Sequence, residues 1–218
     1  YDELGTHTNY VSFNEASEKG QAILDEMVQQ GRAVCYYSWA GVVARLGDAA
    51  RLTKLGCLVK QRDDGSEKVR IIVDSRRSGV NGLMTIRERV VLPRVTDVMA
   101  SWRRLVEAHE GKAEVEMMSA DFKDAFNMLR LAKAEQPLVV VKGADGEHGQ
   151  PRYFAFQVLV FGLAPGPLLW GRVAAAAMRL AQSAMWPSEA EVSTFVDDPL
   201  MLAAATCARE RTWSFAKY

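Results

Sequence analysis

The chain has 218 residues, 49% of them apolar, and a formal net charge of zero: enough material for a core, and no overall positive surplus to mark a simple polyanion binder. Cys35, Cys57 and Cys207 are odd in number and far apart, without paired histidine spacing, which argues against a disulfide framework or a zinc site and predicts an intracellular location, cytoplasmic or nuclear. The longest apolar stretch, FAFQVLVFGLAPGPLLWG, is broken by Gly162, Pro165, Gly166 and Pro167, so it predicts a soluble protein with no membrane partner.

The chain opens on Tyr1 rather than Met and has no signal-peptide order, which predicts a piece of a longer polypeptide. Ser12 followed by Glu15 reads as a capping box, and Ile23, Leu24, Met27 and Val28 continue at helical spacing to Gly31. This acidic opening, net −5 over residues 1–31, gives way to a basic stretch of net +8 over residues 32–104. Such a stretch can face a polyanion or form a solvated surface. Within it, YYSWAGVVARLG reads as a less regular stretch, and CLVKQRDDGSEKVRIIVD as a hairpin turning at Asp64 and Gly65. Pro93 opens a predicted helix with Val95, Val98, Met99, Trp102, Leu105 and Val106 on one face and Gly111 as its stop.

From residue 114 a short strand leads into Asp121, FKDAFN reads as a turn or short helix, and the strand-like LVVVK and RYFAFQVLV flank a polar loop. The Ala-rich PLLWGRVAAAAMRLAQSAM favours helix, and EVSTFV and LMLAAA read as two strands meeting at Asp197 and Asp198. These elements together predict an α+β fold, an antiparallel sheet backed by helices. Asp121 at one strand end and Asp197 and Asp198 at a hairpin can converge as hard oxygen ligands for Mg²⁺, although aspartate is also a common turn residue.

Four segments in order carry a family resemblance. SADFKDAF, FQVLVFGLAPGPLLWGR and FVDD resemble the three palm motifs of the reverse transcriptases of retroviruses and retrotransposons, and VRIIVDSRRSGVN is similar to their fingers strand. Asp121 and Asp197 lie 76 positions apart, a separation typical of that family. The resemblance implies a fingers-like region over residues 1–92 and a palm over 93–218. It implies an RNA-directed DNA polymerase, in which a primer 3′-hydroxyl attacks the α-phosphate of a deoxynucleoside triphosphate on an RNA or DNA template. It further implies two Mg²⁺ ions, or Mn²⁺, on Asp121 and Asp197, with Asp198 as a third carboxylate. Arg70 matches the arginine that pairs with the triphosphate, with Lys60 or Arg62 as its companion cation. Phe126 matches the aromatic gate against a ribose 2′-hydroxyl, and Gly162 a point of close approach to nucleotide and template. Asp74 and Arg76 match residues that brace the fingers or contact the template.

The chain departs from the family pattern in three places. Val160 stands where a proline is common, and only 20 residues follow Asp198, too few for a thumb or a ribonuclease H segment. Pro199 directly follows the acids, which predicts an edge or bulged returning strand. Two other readings use the same residues: an inactive retroelement remnant that binds nucleic acid through the basic stretch, and a metal-dependent phosphohydrolase.

Overall fold

The computed structural model describes residues 7–205; Cys207 and the tail around it lie outside them. The chain divides into two compact units, one formed by the residues up to Ile86 with Phe126–Gly166, the other by Arg87–Ala125 with the residues from Pro167 onward.

In the first unit, α1 (Val11–Glu15) and α2 (Ser17–Gln29) are separated by a break at Ala16. The expected capping box is absent, because the Ser12 hydroxyl accepts the N–H of Cys57 instead and Tyr10 takes the N-cap position. Leu24 and Met27 are buried, as their spacing predicts, and Gly31 follows the helix at φ +65°. β1 (Ala33–Tyr36) follows, and the less regular stretch after it forms α3 (Trp39–Leu46), capped by the Ser38 hydroxyl accepting the Gly41 N–H at 3.1 Å. β2 (Leu52–Thr53), β6 (Val140–Lys142) and β7 (Tyr153–Phe156) complete a four-stranded sheet in the order β1-β7-β6-β2, antiparallel except for β2 and β6. Every residue of β7 is buried. β3 (Leu55–Gln61) and β4 (Glu67–Val73) form the predicted hairpin, with Asp64 accepting both the N–H and the hydroxyl of Ser66 at its tip.

The second unit is built on a three-stranded antiparallel sheet, β5 (Val115–Ser119), β8 (Ala190–Phe195) and β9 (Asp198–Ala204), with β9 in the middle. The unbroken apolar run LMLAAA fits that position, since both faces of β9 are covered. On one face Met118, Val192, Met201 and Ala203 pack against Met178 and Ala181 of α5 (Gly166–Ser183), whose alanines let helix and sheet approach closely. On the other face lies α4 (Val95–Ala108), begun by the Asp97 carboxylate accepting the Arg94 N–H at 2.7 Å. It buries Leu105 and grips Glu191 on β8 through Arg104, with two parallel bonds of 2.7 and 2.5 Å. The apolar face expected of α4 is wider than the surface it covers: Val95, Met99 and Trp102 are 76%, 52% and 47% exposed.

The Arg104 fork holds the Glu191 carboxyl below the usual glutamate range. A depressed folded pKa contributes stability that is fully present above the unfolded value and is lost as pH falls through the folded one. Glu191→Gln is therefore expected to lower unfolding stability by roughly 0.5–1 kcal/mol at pH 7, and by progressively less as the buffer is taken below the ordinary glutamate pKa, which denaturant titration at several pH values checks.

Candidate active site

The acids all lie in the second unit. β8 and β9 meet in a tight hairpin in which Phe195 pairs with Asp198, leaving Val196 and Asp197 as the two turn residues. Val196 has φ +58°, a left-handed conformation that a β-branched side chain rarely adopts. Its carbonyl accepts two side-chain donors, Trp170 Nε1 at 2.9 Å and Thr194 Oγ1 at 3.2 Å.

Beyond β5 the pairing with β9 continues through backbone bonds. Ala120 N–H donates to Pro199 O at 3.0 Å, and Phe122 N–H donates to Asp197 O at 2.9 Å. Continuing the register in which Ser119 faces Leu200 sets Asp121 opposite Asp198, with Asp197 one step along. The expectation that Pro199 needs an edge or bulged strand is corrected, since β9 is central and regular. Pro199 carries its carbonyl on the side facing Ala120, so its missing N–H lies on that side too, where it forfeits one bond just past the end of β5.

Asp121 and Asp198 are exposed and Asp197 is half-buried. Among the described residues, none of the three carboxylates takes part in a hydrogen bond or ion pair, and no three His, Cys, Asp or Glu side chains form a metal-ligating cluster. The donor set nevertheless suits a magnesium-type ion, which accepts one or two protein carboxylates and fills its other positions with water and phosphate oxygens. Like charges set directly across two strands destabilise a sheet, and a cation between them offsets that cost. A groove of about 480 Å³ beside the turn is lined by Arg89, Arg172, Arg179, Thr194 and Val196, and Arg172 is paired with Glu88 at 2.6 Å.

The remaining candidates lie in the first unit. Lys60 stands near the end of β3 and Arg62 at the hairpin tip, both exposed. Arg70 on β4 lies over the ring of Phe161 at 5.9 Å, and Phe161 meets Phe126 edge to face at 4.8 Å, so Phe161 joins two residues that the sequence lists far apart. Phe126 is 9% exposed and Phe161 44%. Asp74 accepts a hydrogen bond from the Tyr10 hydroxyl and another from the Arg77 N–H at 2.9 Å, with no ion pair to Arg76 among the described residues. The Tyr10 contact, first among several, holds the Asp74 carboxyl below its usual range. Asp74, Ser75 and Arg76 line a second groove of about 570 Å³ with Leu58, Ile72 and Gly162.

Gly162 has a reason to be glycine that sequence reasoning missed. At φ +112° its backbone lies against β4, where an added Cβ would stand 1.8 Å from the Val73 carbonyl oxygen. The loop is fastened by Val73 N–H to Phe161 O at 3.1 Å and by the Asn81 amide, which donates to Gly162 O at 2.8 Å and accepts from Ala164 N–H at 2.9 Å. Asn81 and Trp170 are the other residues missed. Their only sequence signals are an Asn in a Gly-flanked turn and a lone Trp early in an Ala-rich helix.

No protein-family model matches the chain, and no curated protein matches it.

Gly162→Ala is expected to destabilise the first unit by roughly 3 kcal/mol or more, whether or not the site is used. Thermal unfolding of the variant checks this, and an unchanged midpoint would contradict the close approach to Val73.

Proposed function

We propose that the chain is the fingers and palm portion of an RNA-directed DNA polymerase, a member of the reverse transcriptases of retroelement type, carrying out template-directed nucleotidyl transfer. One observation carries the reading: Asp121 lies beside the Asp197–Asp198 turn at one end of the sheet, through the backbone bonds of residues 120 and 122 to β9. Arg89 and Arg179, in the otherwise largely apolar groove beside that turn, supply cations that suit a polyanionic substrate.

In this reading Asp121 and Asp197 would hold the ions, with Asp198 as a third carboxylate. Bound Mg²⁺ or Mn²⁺ would supply charge neutralisation at the phosphate oxygens and a more acidic primer hydroxyl. The reaction joins the primer 3′-oxygen to the α-phosphorus and releases pyrophosphate, and this chain's residues serve it by position and charge. Arg70 offers a planar donor fork to the triphosphate, held in place over Phe161. Lys60 or Arg62 adds a second cation from the hairpin tip. Phe126, buried against Phe161, is the steric bar to a ribose 2′-hydroxyl. Asp74 and Arg76, in the groove shared with Gly162, serve the template side or brace the fingers.

A second reading keeps the fold and drops the chemistry: a retroelement remnant binding nucleic acid through the basic stretch of residues 32–104. A third uses the same acids for metal-dependent hydrolysis of a phosphoester.

Primer extension on an RNA template by the full-length polypeptide separates these readings. Metal-dependent incorporation of deoxynucleotides that falls by at least about a hundredfold in Asp197→Asn is the expected outcome. Salt-sensitive binding without incorporation would identify the remnant, and nucleotide hydrolysis independent of template the phosphohydrolase.

A further inference from the structure

The geometry points to Trp170 as a positioning residue for Asp197, acting through the Val196 carbonyl. The inference rests on the reading of Asp197 as a metal ligand and goes beyond it by naming what aims that ligand.

Trp170 is 1% exposed and sits in the early part of α5, a rigid element packed on the sheet. Its ring meets Phe122 edge to face at 5.2 Å, its indole N–H bonds Val196 O, and Phe122 N–H in turn bonds Asp197 O. These contacts close a circuit from the helix to the turn, along the chain to Asp197, across to the segment following Asp121, and back to the helix. Because the peptide between Val196 and Asp197 is planar, fixing its carbonyl also fixes the N–Cα bond of Asp197, and the Phe122 bond to Asp197 O restrains the rotation that remains. A hairpin turn with a valine at φ +58° needs such holding, since a β-branched residue favours other conformations. Thr194 supplies the second donor from β8.

A purely structural tryptophan would act by filling space, and phenylalanine fills most of that space without the N–H. Trp170→Phe therefore separates the two roles. In the full-length protein, Mn²⁺ affinity is measured by electron paramagnetic resonance of the free aqueous ion, and amide exchange is followed along β9. The inference predicts that Trp170→Phe weakens Mn²⁺ binding roughly tenfold and speeds exchange at Asp198 relative to Met201 and Leu202, while the protein still unfolds cooperatively with a melting temperature lowered by only a few degrees. Wild-type affinity and wild-type exchange in this variant would overturn it. Should Trp170→Phe fail to fold, Thr194→Val must weaken Mn²⁺ binding by about threefold and speed the same amide; no change in either overturns the inference. If the wild-type protein binds no Mn²⁺, the metal reading itself falls. Exchange at Asp198 then decides alone: a rise in the variant keeps Trp170 as the anchor of the turn, and no rise removes it.

Discussion

Two backbone hydrogen bonds, from Ala120 to Pro199 and from Phe122 to Asp197, extend the pairing of β5 with β9 past the strand end and bring Asp121 beside the acidic turn. Everything proposed for the acids depends on that extension. Without it, Asp121 would be an exposed aspartate in a loop, and the Asp197–Asp198 pair an ordinary polar turn. With it, carboxylates that have no partner among the described residues stand at the end of one sheet, where like charges repel unless a cation or solvent screens them. Burying β9 between α4 and α5 makes the extension rigid, since a covered central strand cannot shift register without turning its apolar residues to the wrong face.

The turn itself is held against its own preference. Valine at a positive φ costs of order 1–3 kcal/mol, and the two donors converging on its carbonyl, each contributing about 1 kcal/mol net, are of the size needed to offset it. The loop at Gly162 is held in a comparable way, with Asn81 binding on both sides of Leu163 and the backbone set against Val73. In both places a side chain from another element fixes a backbone segment that would otherwise have several conformations open to it.

α4 is legible in the sequence from its period and its Gly111 stop, α5 from its alanine-rich helix propensity, and the hairpins from β-rich runs flanking polar turns. β1 and α3 are not read out of the sequence, although Trp39, Val42, Val43 and Leu46 have the i, i+3, i+4, i+7 spacing of a helix: four and eight residues are short windows, and the aromatic run Tyr36, Tyr37, Trp39 between them masks the boundary. Ser12 and Glu15 had the spacing of a capping box, but the hydroxyl found a long-range partner in Cys57, which no local pattern encodes. Periodicity placed Trp102 and Met99 on the apolar face of α4 without revealing how much of that face the sheet would cover. Pro199 fits a central strand because its missing N–H lies on the β5 side, and which side that is depends on the turn having two residues, a feature no local pattern encodes. Among the candidate site residues, the three acids are singled out by the motifs they share with a known family, whereas the link from Arg70 through Phe161 to Phe126 is a product of folding.

The central claim is that Asp121 and the Asp197–Asp198 turn share a cation. Iron-directed backbone cleavage tests it most directly: Fe²⁺ replaces Mg²⁺ or Mn²⁺, ascorbate and peroxide generate hydroxyl radicals at the ion, and the fragments are sized. Two cuts, one near Asp121 and one near Asp197, both suppressed by excess Mg²⁺ and lost in Asp197→Asn, are the predicted result. Cleavage elsewhere, or cuts at these positions that persist in Asp197→Asn, would contradict it.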